Sequence, residues 1–356
     1  RGTRCVQSEG LTTAARPLFI SALHEATGRP ILVLCPTEEV ADRLHQTVSA
    51  CLPPGRVRFF PSMEMTVFER YGVDAEAEAD RLRVLAELPS GLAGVVVASA
   101  TTLLHDIVPK ERFLKWTRSL ATGEEAGREG LVEWLSQAGY RRVDMVTEPG
   151  EYAVRGFIID VYPPTDSEPV RIELFGDEVD SLRSFNPSNQ RSTRHLSTLP
   201  LVPATELLCS VEELCLAADA VEDLMGEQLP HLAPEARDRL RGSVGEDLEL
   251  MRAGSRVPSL TYYSQMLSGG ATLLDYLPSS ALMVCIDPHR LVRAAEELLE
   301  DLNATHARRL ERGELPALPH STFRRVDELT RMIAARQCVY VTRLAPALEW
   351  TGERTL

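Results

Sequence analysis

The sequence has no long apolar run and no closely spaced pair of cysteines. Its longest apolar stretches, such as residues 31–35 and 94–98, are far shorter than the roughly 20 residues that a membrane-spanning helix needs. The seven cysteines are scattered over 356 residues and form no C-x-x-C pair. This spacing argues against a disulfide framework and a structural zinc site, so we predict reduced thiols that lie partly in a core.

An excess of positive charge is also missing. The formal net charge is −14, from 38 Lys and Arg residues against 52 Asp and Glu residues. Tight DNA binding needs clustered Lys and Arg to neutralise phosphates, so the composition favours a protein partner over autonomous DNA binding. The chain opens Arg-Gly-Thr-Arg without a signal-peptide pattern, and we expect a cytoplasmic protein cut from a longer one.

Strand and helix patterns alternate in the first hundred residues. The apolar run at residues 30–36 is bounded by prolines and predicts a strand buried on both faces, and Thr37 begins a helix behind it. Further strands are predicted at residues 57–60 and 94–99. Buried-strand character returns at residues 281–287 and 337–342, so we predict one parallel α/β sheet that is begun early and completed late in the chain.

The pattern between these two parts is different. A helix at residues 128–138 is followed by short alternating strands around Pro-Gly, Pro-Pro and Gly-Asp turns, with three strands predicted within residues 150–182. We therefore predict a first sheet portion at 1–115, an inserted α+β domain at 116–200, and a helical segment with the rest of the sheet at 201–356.

A RecA-like α/β domain would carry a phosphate loop before its first long helix. The candidate is the segment 10–18, which keeps Gly10 but has Ala15, Arg16 and Pro17 at the positions of the second glycine, the lysine and the hydroxyl residue. Ala15 adds a Cβ where the backbone must curl around phosphate, and Pro17 removes an amide donor. Arg16 replaces a compact ammonium by a broad planar group, so these changes predict a degenerate nucleotide site.

The carboxylate pair of such a site would follow a buried strand. Asp287 is in that position, but Pro288 follows it where an ATPase of this type has Glu. Two independent elements of nucleotide chemistry are therefore altered, and we expect a catalytically silent, degenerate RecA-like (P-loop NTPase-like) domain.

The segment Gly-Glu-Tyr-Ala-Val-Arg-Gly-Phe-Ile-Ile-Asp-Val-Tyr-Pro at 150–163 carries the strongest resemblance in the chain, together with residues 171–182. Both resemble the second domain of the excision-repair protein UvrB and of the UvrB-like N-terminal module of the transcription-repair coupling factor family, Mfd. Landmarks at 80–83, 95–99, 258–263 and 272–278 follow in family order. A short link between Phe60 and Ala77 replaces the long aromatic hairpin of UvrB, which favours the Mfd type.

The resemblance implies that the inserted domain docks onto UvrA. Arg155 matches the arginine before the glycine of the family motif, and Arg142 matches an arginine that follows a tyrosine in the preceding strand. Ala153 stands where UvrB has a further arginine. The residues that the resemblance implies for UvrA binding are Arg142, Arg155, Arg141 and Tyr152.

The family also implies partners outside this chain. RNA polymerase and double-stranded DNA would be bound by other parts of the parent protein, and ATP with Mg would be used by its translocase motor. For this chain we expect no cofactor of its own.

Two alternatives remain open at this point. One is an active UvrB-like ATPase that uses Arg16 and Asp287 in unusual roles, which calorimetry with ATP would distinguish. The other is a DNA-binding module that acts through the arginine-rich stretch 183–194 and a set of aromatic residues. These aromatics, for which core packing is the simpler expectation, are Phe59, Phe60, Phe68 and Tyr71.

Overall fold

The computed structural model describes residues 5–63, 68, 75–89, 94–255, 257, 259–267, 270–318 and 323–343. The first part of the chain contains β1 (Cys5–Ser8), α1 (Arg16–Thr27), β2 (Ile31–Cys35), α2 (Glu38–Ser49), β3 (Val57–Phe60), α3 (Ala75–Glu87), β4 (Val95–Ser99), a 3-10 turn (Ala100–Leu104) and α4 (Lys110–Lys115). The middle part contains β5 (Arg118–Ala121), α5 (Arg128–Gln137), β6 (Arg141–Arg142), β7 (Glu151–Arg155), β8 (Ile158–Val161), β9 (Val170–Phe175), β10 (Glu178–Phe185), β11 (Ser192–Leu196) and β12 (Thr198–Leu201). The last part contains α6 (Val211–Gln228), a 3-10 turn (Leu229–His231), α7 (Pro234–Arg252), α8 (Leu260–Leu267), α9 (Leu273–Tyr276), β13 (Leu282–Ile286), α10 (Pro288–Glu311), α11 (Val326–Ala334) and β14 (Cys338–Val341).

A six-stranded parallel sheet joins the two ends of the chain. Its strand order is β1-β14-β13-β2-β4-β3, and every neighbouring pair runs parallel. All five residues of β2, β4 and β13 are buried, because helices cover both faces of the sheet. The α/β prediction is confirmed: strands from before and after the insertion pair directly, as Val33 with Val284.

Local sequence explains how the sheet connects to its helices. Thr37 lies just before α2 and accepts a hydrogen bond from the Val40 amide, while Glu38 and Glu39 lie in the first turn where the helix dipole favours negative charge. Ala41, Leu44 and Val48 form the buried face of α2 against the sheet. The polar strand β1 has no apolar run, and sequence reasoning missed it.

The inserted segment folds around its own mainly antiparallel sheet. The strand order is β11-β10-β9-β8-β7-β6, and only the β6–β7 pair within this sheet is parallel. Residues 150–182 span β7, β8, β9 and the start of β10, so the prediction of three strands was wrong. The two-residue turn Gly176-Asp177 splits the second part of that segment into a hairpin.

A separate core holds this sheet together. Leu131 and Leu135 of α5 pack onto it with Ile159, Ile172 and Leu182. Strands β5 and β12 pair antiparallel where the chain enters and leaves the segment, with Arg118 opposite Leu201. The helices of the last part form another core, which includes Leu240, Tyr262 and Tyr263. Within the described part of the chain, every helix is too short or too polar to span a lipid bilayer.

Candidate functional site

The loop before α1 leads directly into the helix. Ala15, Arg16 and Pro17 stand there where a phosphate loop has glycine, lysine and a hydroxyl residue. Gly10 adopts a left-handed φ of 76°, and Ala15 precedes the helix with no side-chain cap. The Ala15 amide donates to the Thr12 carbonyl at 3.0 Å, so this amide is used inside the loop. Pro17 is buried in the first turn, where its missing N–H costs nothing to the helix.

The structure brings Arg16 and Asp287 together across 271 residues of sequence. The Arg16 Nη2 donates to both carboxylate oxygens of Asp287, at 3.0 and 2.9 Å. The two side chains are only 7% and 16% exposed. Two residues that the sequence marked as remnants of a nucleotide site therefore neutralise each other.

Asp287 is fixed on both sides by the backbone. It has left-handed dihedrals, with φ 47° and ψ 66°, immediately before Pro288 begins α10. Its amide donates to the Val341 carbonyl at 2.8 Å, and its carbonyl accepts from the Leu291 amide at 3.0 Å. The carboxylate is thus held at the end of β13 and directed to Arg16.

The Cys35 thiol lies close enough to this ion pair to interact with both of its charges. Burial raises the pKa of Cys35, at the end of β2, to about 12, and the negative charge of Asp287 acts in the same direction against the opposing effect of Arg16. A neutral thiol is a poor nucleophile. No cluster of three or more His, Cys, Asp or Glu side chains suited to a metal ion occurs among the described residues. In this arrangement the Arg16 and Asp287 side chains bond each other.

The second group of predicted residues lies at one edge of the inserted sheet. Strand β6 pairs with β7 so that Arg141 is opposite Glu151 and Arg142 is opposite Tyr152. Arg141 donates to the Glu151 carboxylate at 2.6 Å and to Glu148 at 3.3 Å. Arg141 is therefore engaged within the chain.

Glu151 organises this edge, and sequence reasoning missed it. Its buried carboxylate also accepts from the amide and hydroxyl of Thr147 and from the Glu148 amide, at 2.8, 3.2 and 2.9 Å. The available signal was an acidic residue that opens a strand next to a pair of arginines.

Arg142 differs from its neighbour. Its side chain is exposed, and the described residues give it no hydrogen bond or ion pair. It lines a groove of about 700 Å³ that runs between α5 and the ends of α6 and α7. Tyr152 forms part of the groove wall but is only 3% exposed, so nearly all of its ring packs in the core.

Arg155 lies at the far end of β7. It is exposed, and its Nη2 donates to the Asp144 carbonyl at 2.7 Å. This bond holds the guanidinium over the loop that joins β6 to β7, while its other donors have no partner among the described residues. Arg142 is opposite Tyr152 and Arg155 lies three residues further along β7, so the two side chains leave opposite faces of the sheet near its β6 edge, while Arg141 bonds two acidic side chains.

The aromatic residues considered for DNA binding are mostly in cores. Phe60 is buried beneath the Arg81 guanidinium, 4.2 Å from the ring centroid, and Phe68 stacks on His306 at 5.4 Å. Phe59 stacks on His45 at 5.6 Å. Tyr71 lies outside the described residues.

The arginine-rich stretch is partly engaged. Arg183, at its start, pairs with Glu173 at 2.6 Å. Ser188 and Asn189 are exposed, and from Arg191 the exposed residues continue along β11, at the edge of the sheet opposite β6.

The amino-acid sequence is similar to known protein families. Residues 119–207 match the family described as the UvrB interaction domain. The chain is 32% identical over 308 residues to the transcription-repair-coupling factor of Bacillus subtilis (strain 168), covering 86% of the chain and 26% of that protein. It is 31% identical over 335 residues to the transcription-repair-coupling factor of Myxococcus xanthus, covering 90% of the chain and 27% of that protein.

UvrB proteins are also similar. Identity to the UvrABC system protein B of Thermosipho africanus (strain TCF52B) is 25% over 312 residues, or 81% of the chain and 47% of that protein. The chain spans about a quarter of the length of the two coupling factors and a little under half of this UvrB relative. Over most of its length the chain is therefore similar to part of the transcription-repair-coupling factors and of UvrB, and its residues 119–207 match the UvrB interaction domain family.

Proposed function

We propose that this chain is a non-catalytic recruitment module that binds UvrA through its inserted domain. The observation that supports it is Arg142, an exposed guanidinium on an edge strand of the segment that matches the UvrB interaction domain, with no partner among the described residues. In this proposal the parent protein brings UvrA to a stalled RNA polymerase for repair of the transcribed strand. RNA polymerase, double-stranded DNA, ATP and Mg²⁺ would be bound by its other parts.

The chemistry of arginine suits this role. Its planar fork can bond a carboxylate through two parallel N–H groups, and it is desolvated more easily than lysine. Arg142 and Arg155 lie near opposite ends of β7 and on opposite faces of the sheet, so a partner that wraps around the β6 edge can engage both with acidic side chains. The groove beside Arg142 gives such a partner a concave surface to fill.

The parallel-sheet domain supports a silent role. An arginine and an aspartate that could act on nucleotide are paired with each other and buried. An entering triphosphate would have to break this pair and would find Pro17 in place of a hydroxyl and an amide donor. We propose that the domain serves as a scaffold with no cofactor of its own.

The proposal is tested by measuring UvrA binding to surface-attached variants of the chain by interferometry. We expect Arg142→Ala to raise the Kd roughly 30-fold, since truncation of a central interface arginine costs about 2 kcal/mol or more. The double variant Arg142→Ala with Arg155→Ala should show no measurable complex. Thermal unfolding should be unchanged, because neither side chain supports the core.

Arg191→Ala is the matched control. This arginine is equally exposed but lies at the opposite edge of the same sheet, next to β11. It should bind UvrA like the unaltered chain. Full binding by the double variant, or equal loss in the control, would contradict the proposed site.

A further inference from the structure

Two phenylalanine rings are unusually exposed at one end of the inserted sheet. Phe157 is 60% exposed in the turn between β7 and β8, and Phe175 is 82% exposed at the end of β9. The two turns are neighbours, because the Leu174 amide donates to the Phe157 carbonyl at 2.9 Å. Two strongly exposed aromatic residues in neighbouring turns of a small domain mark a contact surface.

A depression of about 610 Å³ lies between these turns and the start of α5. We name it the glycine pocket, because its lining includes Gly127, Gly130, Gly156 and Gly176, with Phe157 and Asp177. A Cβ added at any of the four glycines would meet no atom within 4 Å, so their faces are open to an incoming group. Phe175 directly precedes Gly176 in the sequence.

Hydrogen bonds between the three segments hold the pocket in shape. The Arg128 Nε donates to the Gly156 carbonyl at 2.8 Å. The amides of Ala126 and Gly127 donate to the Asp177 carbonyl at 2.9 and 3.1 Å. The pocket is therefore preorganised, which lowers the entropic cost of binding there.

The pocket is continuous with the surface of the proposed UvrA site. Arg128 and Glu129 line both the glycine pocket and the groove that contains Arg142. Arg155 directly precedes Gly156 in the same turn as Phe157. The exposed Phe157 ring and the open glycine backbone thus lie beside exposed arginines, which is the arrangement of an apolar interface centre with a polar surround.

We infer that the glycine pocket receives an aliphatic side chain of UvrA, of the leucine or methionine type, when its acidic residues engage Arg142 and Arg155. This inference rests on the proposed function. The carboxylates of Glu129 and Asp177 at the pocket disfavour an acidic side chain there. Aromatic rings and glycine backbone instead offer dispersion contacts and exclude water.

Filling the pocket is the direct test. Gly130 is the third residue of α5, so Gly130→Leu places a side chain beside the pocket at a helical position where leucine is a better helix former than glycine. We expect the Kd for UvrA to rise at least about 10-fold while the melting temperature stays the same or rises. Gly242→Leu in α7 is the matched control, since it is also helical and open but distant, and it should bind normally.

A second variant removes the rings instead of blocking the pocket. Phe157→Ser with Phe175→Ser should raise the Kd roughly 30-fold or more, because interface aromatics are frequent hot spots. If Gly130→Leu and the double serine variant bind as the unaltered chain does while Arg142→Ala is weak, the pocket inference is wrong and the proposed function stands. If the unaltered chain does not bind UvrA, both are wrong.

Discussion

Two arginines outside the inserted domain, Arg16 and Arg81, differ from Arg142 of the inserted domain in how their charge is satisfied. Arg16 and Arg81 are buried, and each bonds a carboxylate supplied by a distant part of the same chain, Asp287 and Glu206. Arg142 is exposed on an edge strand with no such partner among the described residues. An arginine that bonds a carboxylate of the same chain stabilises the fold. An exposed arginine without such a bond can instead bind a partner protein.

The largest expected effect comes from removing the buried guanidinium group of Arg16. Arg16→Ala leaves Asp287 as an uncompensated charge in a mostly buried position, so the free energy of unfolding should fall by about 3–5 kcal/mol. Urea denaturation measures this loss. Adding Asp287→Asn should recover part of it, because asparagine carries no charge and tolerates the left-handed backbone.

An exposed pair provides the control for that experiment. Arg293 bonds Glu297 on the surface of α10, with 79% and 63% of the side chains exposed. Arg293→Ala should change the free energy of unfolding by less than about 0.5 kcal/mol. Equal losses for the two variants would show that burial does not separate the two classes of arginine.

Acid should weaken the parallel-sheet domain through His105. Burial lowers the pKa of His105 to about 3, and the charge of Arg81 adds to this effect. The ordinary pKa of 6.5 applies in the unfolded chain, so this contribution to stability is complete above pH 6.5 and is lost as the pH falls toward 3.

Between pH 7 and pH 5 the free energy of unfolding should fall by about 2 kcal/mol from this residue alone. Urea denaturation at both pH values should show the loss, and His105→Gln should show a smaller pH dependence. His195→Gln, which removes an exposed imidazole from the inserted sheet, is the control. A pH dependence that survives in His105→Gln would assign the effect to other groups.

A smaller loss of stability than those expected for Arg16→Ala and for His105 at low pH would separate the roles of Arg141 and Arg142. Arg141→Ala removes one hydrogen bond to the buried Glu151, which keeps its bonds from Thr147 and Glu148. We expect a loss of about 1 kcal/mol in the free energy of unfolding and weaker effects on UvrA binding than for Arg142→Ala. If Arg141→Ala weakened UvrA binding more than Arg142→Ala does, Arg141 rather than Arg142 would be the residue that contacts UvrA.

Sequence patterns predicted the parallel sheet because its strands are buried on both faces. The sequences of β2, β4 and β13 are almost entirely apolar. Such strands can be recognised without knowing which strand they pair with or in which register. Strand β1 was missed because Gln7 and Ser8 interrupt that pattern at a sheet edge.

The contacts within the candidate sites depend on information that local patterns lack. Arg16 and Asp287 were predicted separately, but their pairing joins residues that only the sheet topology brings together. Likewise, the pattern does not distinguish Arg141 from Arg142, because the register with β7 decides which of them meets Glu151. The exposure of Phe157 and Phe175 was missed since aromatic residues in a strand pattern usually pack inward; the glycine beside each was the available signal.

The pairing of β5 with β12 has a consequence for evolution and engineering. Because Arg118 lies opposite Leu201 in an antiparallel ladder, the chain leaves the scaffold and returns to it at points only about 5 Å apart. A segment of this kind can be exchanged between hosts as a cassette, since a short turn suffices to close the gap that it leaves. The proposed UvrA-binding surface can therefore be transferred with its segment. Its sequence can change while the parallel-sheet domain that carries it stays the same.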